Sequence, residues 1–151
     1  MTANVAQFAG ALQAISTLTA RQPAQPVRVA IIGSTSFSPL SLVTSFIAHL
    51  PTNCVILSSQ TDKVNQQALT TARHYGYKVE EFMLDWTQLE AGSVDAKDNE
   101  LIHSASIIVA FWGNQGQGIA SILAAAREAK IPVFTISPPT SLPRPIQRPL
   151  F

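Results

Sequence analysis

Short apolar runs alternating with helix-forming segments predict an α/β protein. The expected architecture is a Rossmann-like three-layer sandwich around a mainly parallel, five-stranded sheet, with an N-terminal helix and a Pro-rich C-terminal arm. Two observations carry this reading. The runs Val27–Ile32, Cys54–Leu57, Tyr77–Met83, Ser106–Phe111 and Ile131–Ile136 are each followed or preceded by a segment of helical periodicity, and the connections are too short for anything except right-handed crossovers. In addition, Ser106-Ile-Ile-Val-Ala-Phe-Trp112 breaks into Gly113-Asn-Gln-Gly116-Gln-Gly118 and then enters the alanine-rich stretch Ile119 to Lys130. A buried strand, a glycine loop and a helix in that order are how parallel sheets build a cradle for phosphate or another anion.

The first segment places Val5, Phe8, Leu12, Ile15 and Leu18 at three- and four-residue steps, a helix with one apolar face, ended by the prolines at 23 and 26. That stripe has to be covered, either by the protein's own core or by a neighbouring subunit. Ser38-Pro39 reads as an N-cap and first helical position for a helix through about Leu50, with Leu42, Val43, Phe46, Ile47 and Leu50 on its core face. A helix from about Lys63 to Tyr75 stops at Gly76, and the more polar third strand after it belongs near an edge. Residues 84–97 are irregular, and Asp98 to Ala105 form a short helix feeding the fourth strand. Pro138, Pro139, Pro143, Pro145 and Pro149 give the end of the chain an extended character: a loosely held tail, or an arm that crosses onto a partner. The chain therefore divides into a helix and linker (1–26), one α/β domain (27–137) and a tail (138–151).

Composition narrows the function. Of 151 residues 46% are hydrophobic and only 13% charged, against roughly 25% charged in ordinary soluble domains. Too little charge to cover a monomer implies a homo-oligomer. The net charge of +1 and the acidic cluster Glu80, Glu81, Asp85, Glu90, Asp95, Asp98 and Glu100 argue against nucleic acid as a partner. Cys54 is the sole cysteine, so neither an internal disulfide nor a thiolate zinc site is expected. No apolar run approaches the roughly 20 residues of a membrane span, and a cytoplasmic protein without a resident cofactor or metal is expected.

Three loops belong at the carboxyl edge of the sheet: Gly33 to Ser38, Ser58 to Asp62, and Gly113 to Gly118. All are rich in glycine and small hydroxyl residues, which let a ligand approach the backbone. The candidate ligand-binding residues are Gly33, Ser34 and Thr35 at one end, Ser58, Ser59 and Asp62 in the middle, and Gly113, Asn114, Gly116, Gln117 and Gly118 at the phosphate. Trp112, at the strand's end, can stack on a base or serve the core. The glycine spacing is neither the dinucleotide-binding Gly-x-Gly-x-x-Gly nor a P-loop, since Ile119 follows Gly118 where a lysine would stand. In the bland reading the glycines only shape a tight turn. His49, His74 and His103 show no metal-ligand spacing, and Cys54 reads as a small buried hydrophobe.

Val27-Arg-Val-Ala-Ile-Ile-Gly33-Ser34, the pair Asp85-Trp86, Ala91-Gly92, and Val109-Ala-Phe-Trp112 ahead of a glycine loop resemble the SLOG superfamily over roughly Val27 to Ser137. Its small YspA-like branch is the nearest in element order, and DprA and the phosphoribohydrolases once called lysine decarboxylases are related to it. The resemblance implies a nucleotide-related ligand. Against the small branch, the second loop here, Ser58-Ser-Gln-Thr-Asp62-Lys63-Val64, lacks its glycines and terminal acid. Against the phosphoribohydrolases, Ser121 and Ile122 stand where acids are expected, and the partner arginine falls near Lys97 or Asp98. Without a carboxylate and cation, glycosidic hydrolysis lacks an agent. The expectation is thus binding of a nucleotide or nucleotide-derived ligand without catalysis. The alternatives are a degenerate scaffold module whose pocket takes no ligand and, third, a remnant nucleoside-monophosphate phosphoribohydrolase.

Overall fold

The computed structural model describes residues 2–22, 24–34, 37–59, 63–84, 89–94, 96–112 and 117–138. Its elements are α1 (Thr2–Arg21), β1 (Val27–Gly33), α2 (Ser41–Ala48), β2 (Cys54–Ser58), α3 (Lys63–His74), β3 (Lys78–Glu81), α4 (Ala96–Ser104), β4 (Ile107–Phe111), α5 (Gln117–Glu128) and β5 (Val133–Ile136). The strands form one sheet in the order β3-β2-β1-β4-β5. Every pairing is parallel, with Val29 beside both Ile56 and Ile107. The three inner strands are rich in β-branched residues and buried on both faces, as a parallel sheet under two helical layers requires.

Side-chain alternation along the strands divides the core into two layers. Val29, Ile31, Ile56, Val109 and Phe111 point to one face and meet α1, α2 and α3; Ala30, Ile32, Leu57, Ile108 and Ala110 point to the other and meet α4 and α5. Right-handed crossovers explain the division: the chain steps from β1 through β2 to β3 on one side, then passes beyond β1 and returns through β4 and β5 on the other.

That winding leaves the first face of β4 and β5 without a crossover helix, and α1 fills the place. Ala11 and Ile15 are fully buried there, Phe8 stacks edge-on against Phe46 of α2 at 5.3 Å, and Gln7 Oε1 accepts the Ser137 N–H at 2.8 Å. The inner stripe of α1 is therefore covered by the protein's own core. Between α1 and β1 the Gln25 N–H donates to Gln22 C=O at 3.1 Å.

Helix boundaries show where tertiary packing prevailed over local signals. Ser38-Pro39 does not start α2. The first helical residue is Ser41, Leu40 is its N-cap residue, and the helix closes at Ala48. Before it, the Phe37 N–H donates to Ser34 C=O, and Phe37 is buried in the core against Phe111. α3 ends as expected at Gly76, which takes φ 83° so that the Tyr77 N–H reaches back to Ala72 C=O. α5 ends the same way without a glycine: Lys130 takes φ 62° and the Ile131 N–H reaches Ala126 C=O.

The outer strand β3 is tied to the centre by charge. Arg28 on β1 donates two hydrogen bonds to the Glu80 carboxylate, at 2.7 and 2.5 Å, and a third from Nε to Ser104 C=O at the end of α4. The guanidinium holds the Glu80 carboxyl below its ordinary range, chiefly through those hydrogen bonds. A carboxylate whose folded value lies below its unfolded one stabilises above the ordinary carboxylate range and loses that contribution as pH falls through the lowered value. Both side chains are about a third exposed or more, which limits the effect to under about 1 kcal/mol. Denaturation of wild type and Glu80→Gln should differ by that amount at pH 7, and the gap should close as pH falls below the ordinary carboxylate range; a gap unchanged by acid would assign the loss to packing.

Candidate functional site

The order β3-β2-β1-β4-β5 contains one switch point, between β1 and β4, where the chain's winding reverses. β1 is followed by α2 on one face and β4 by α5 on the other. Ligands of parallel α/β sheets collect beyond the strand ends at such switch points.

Ser34 and Trp112 stand at this point, each the first residue past its strand. Gly33 lies beside Phe111 in the register, the Ser34 N–H donates to Phe111 C=O at 3.2 Å, and the Trp112 N–H donates to Ile136 C=O at 3.0 Å. Trp112 is half-buried and packs on the second core layer. The residue thus serves the core at least in part.

Other predicted residues sit deeper. Gly33 is packed so closely that a Cβ placed on it would lie 2.4–2.8 Å from the three branch carbons of Val64. Its missing side chain makes room for α3. Ser58 is fully buried, and its hydroxyl donates to Ile31 C=O at 2.9 Å, tying β2 to β1. Ser59 is also fully buried. The turns after β2, β1 and β4 leave from three adjacent strands at one edge, but on the β2 side the rim is filled by the protein's own groups. Thr35, Asp62, Gly113, Asn114 and Gly116 lie outside the described residues.

The glycine run also ends earlier than its sequence suggests. Gln117 and Gly118 are the first two residues of α5, Gln117 exposed and Gly118 buried. As in any helix, the first N–H groups have no partner within α5. Four positions on, Ser121 accepts from Gln117 Nε2 at 3.1 Å and donates to Leu89 C=O at 2.9 Å. Ser121 therefore holds the segment around Leu89 against α5, a role that spacing alone did not signal.

Among the described residues no three His, Cys, Asp or Glu side chains are grouped to hold a metal ion, and no helix is long and apolar enough to cross a membrane. His49, His74 and His103 are exposed and lie on separate helices or their ends. Cys54 opens β2 at the opposite edge of the sheet, where burial pushes its thiol up to about 11. A thiol that stays protonated at neutral pH is a poor nucleophile.

No family model matches the sequence, and no curated protein matches it. Among solved structures the chain is similar to DNA processing protein A (DprA) from Streptococcus pneumoniae, at 15% identity and a TM-score of 0.59 over 73% of this chain and 50% of that one. L-sorbose reductase from Gluconobacter frateurii, complexed with NADPH and L-sorbose, matches at 20% identity over 71% of this chain and 46% of that one, with a TM-score of 0.37 that carries no argument. The chain thus spans about half the length of the structures it resembles, and what it shares with the first is a DprA-like, Rossmann-type α/β fold.

Proposed function

We propose that this protein binds a nucleotide or nucleotide-derived anion, without converting it, in the crevice between β1 and β4. The observation that carries the reading is the position of Ser34 and Trp112 just past β1 and β4, with the start of α5 following, at the sheet's switch point. Backbone N–H groups at a helix start attract phosphate, and the partly buried Trp112 beside them is of a type that stacks on a base. Phosphoribohydrolase chemistry is set aside because Ser121, where the acid is expected, is 6% exposed and engaged with Leu89. DNA processing, the role in the DprA neighbour's name, is not carried over: a net charge of +1 lacks the basic excess that phosphate backbones demand.

Thermal unfolding with adenine and guanine mono-, di- and triphosphates tests the reading. A ligand at 100 times its Kd adds about 2.7 kcal/mol, which raises Tm by roughly 5–10 °C in a domain of this size. Gln117→Glu places a carboxylate in the first turn of α5, which suits the helix dipole by about 0.3–1 kcal/mol but repels an anion. The variant should be as stable as wild type, yet lose the ligand-induced shift. Retention of the shift would move the phosphate away from α5. A second reading, a scaffold module with no ligand, is favoured by the Val64 and Ser58 groups that fill the β2 side of the rim; it predicts no shift with any nucleotide.

A further inference from the structure

We propose that the outer surface of the helical layer formed by α1, α2 and α3 is a homodimer interface, on which a second copy of this chain packs layer to layer about a twofold axis near α2. The inference starts from the distribution of charge along the chain. Residues 1–61 contain no aspartate or glutamate, and their only lysine or arginine side chains are Arg21 and Arg28. Arg28 is engaged within the domain by Glu80, and all of α1 and α2 comes from this stretch.

The three helices pack on one face of the sheet through Ala11, Ile15, Phe46, Ile47 and Val64, so their exposed sides look the same way, away from the sheet. They are also contiguous. Phe8 of α1 meets Phe46 and His49 of α2 at 5.3 and 6.4 Å, and Gln67 Nε2 of α3 donates to Thr44 Oγ1 of α2 at 2.6 Å.

Over α1 and α2 the exposed side is small and uncharged. It shows Ala6, Ala9, Gln13, Thr17 and Ala20 on α1, and Ser41 and Ala48 on α2. The outward side of a surface helix normally carries charge. The opposite layer does so, with Glu100 and His103 exposed on α4 and Arg127 and Glu128 on α5. In the first layer, lysine and arginine are confined to Arg21 at the end of α1 and to Lys63 and Arg73 near the two ends of α3. α2 touches both α1 and α3 and lies between them, so an axis near α2 sets α1 against α3 of the second copy. Lys63 and Arg73 then meet a neutral helix and not a like charge, and small side chains let the facing helices approach to about 8–10 Å.

Area requires the whole layer. The three helices have 20, 8 and 12 residues, which at about 1.5 Å of rise per residue and about 10 Å of width present a footprint of about 600 Å² per partner. Stable interfaces begin at about 1,200 Å² in total, and two such layers reach it. α1 alone would supply about half.

Sedimentation velocity of the full chain, without nucleotide, from about 1 to about 100 µM is the test. Wild type should be a dimer at the upper concentrations. Ala48→Lys brings two ammonium groups close to the axis and Gln13→Lys adds a charge to the outward side of α1; each should raise the dimer Kd at least about tenfold. Lysine is a good helix former, and at position 48 it suits the helix C-terminus, so both variants should match wild type by circular dichroism. If Ala48→Lys does not fold, Gln13→Lys decides alone. Ala124→Lys, at an exposed site on α5, makes the same change on the opposite layer and should leave the dimer intact. A wild type that is monomeric at about 100 µM, a dimer that the folded first-layer variants leave unchanged, or one that Ala124→Lys weakens equally would overturn the proposal. None of these outcomes bears on nucleotide binding.

Discussion

Gly33→Ala is expected to destabilise the protein by about 3 kcal/mol, the upper part of the range for overpacking a core, and to lower Tm by roughly 6–12 °C. The new methyl would arrive 2.4–2.8 Å from the branch carbons of Val64. Valine cannot swing aside, since its branched carbon allows few rotamers in a helix, so α3 or β1 has to move. Val64→Ala alone removes two buried methyl groups and should cost about 2 kcal/mol. Combined, the two changes should cost less than their sum, a coupling of about 1 kcal/mol between neighbours, because Val64→Ala removes the contacts at 2.4 and 2.8 Å but keeps the β-carbon at 2.7 Å. Additive losses would mean that the clash is relieved elsewhere. Any nucleotide-induced stabilisation of the wild type should persist in the double variant, because this glycine's space is occupied by Val64 and not by a ligand.

That example marks what a sequence of this kind discloses. The parallel sheet was legible because buried strands announce themselves as short β-branched runs, and given the strand order, the two-sided layering follows from right-handed crossovers. Gly76 was a readable helix stop because a left-handed residue is usually glycine. Lys130 adopts the same conformation at the end of α5 and carried no such mark. Ser38-Pro39 carried the mark of a helix start, but burial of Phe37 against Phe111 moved the start to Ser41. At the rim, residue type showed which positions lie near the edge. It could not show which way they face: Ser58 reads as a ligand hydroxyl and in fact bonds to Ile31, and Ser121 reads as a lost acid and in fact binds Leu89. Direction is a property of packing, and packing is not written locally.

The destination of α1 was similarly hidden, because an amphipathic stripe says that something covers it and not what. Four aromatic rings provide the answer. Phe8 of α1 meets Phe46 of α2 at 5.3 Å, Phe46 meets Phe111 of β4 at 5.7 Å, and Phe111 meets Phe37 at 5.3 Å, each pair edge to face. The row runs from the N-terminal helix to the turn beside the switch point. Phe46→Ala interrupts it at a fully buried position and should cost about 4 kcal/mol, as large-to-small changes at phenylalanine do, or roughly 8–16 °C in Tm. Its local consequence is more diagnostic. Amide exchange across α1 should accelerate beyond the change in global stability, because α1 loses the ring that anchors Phe8 and opens on its own. Leu123→Ala, at a buried site on the opposite face, should lower global stability by a similar order while α1 opens only with the whole. Equal exchange in α1 for both variants would show that the helix is held by Ala11 and Ile15 and not by the ring row.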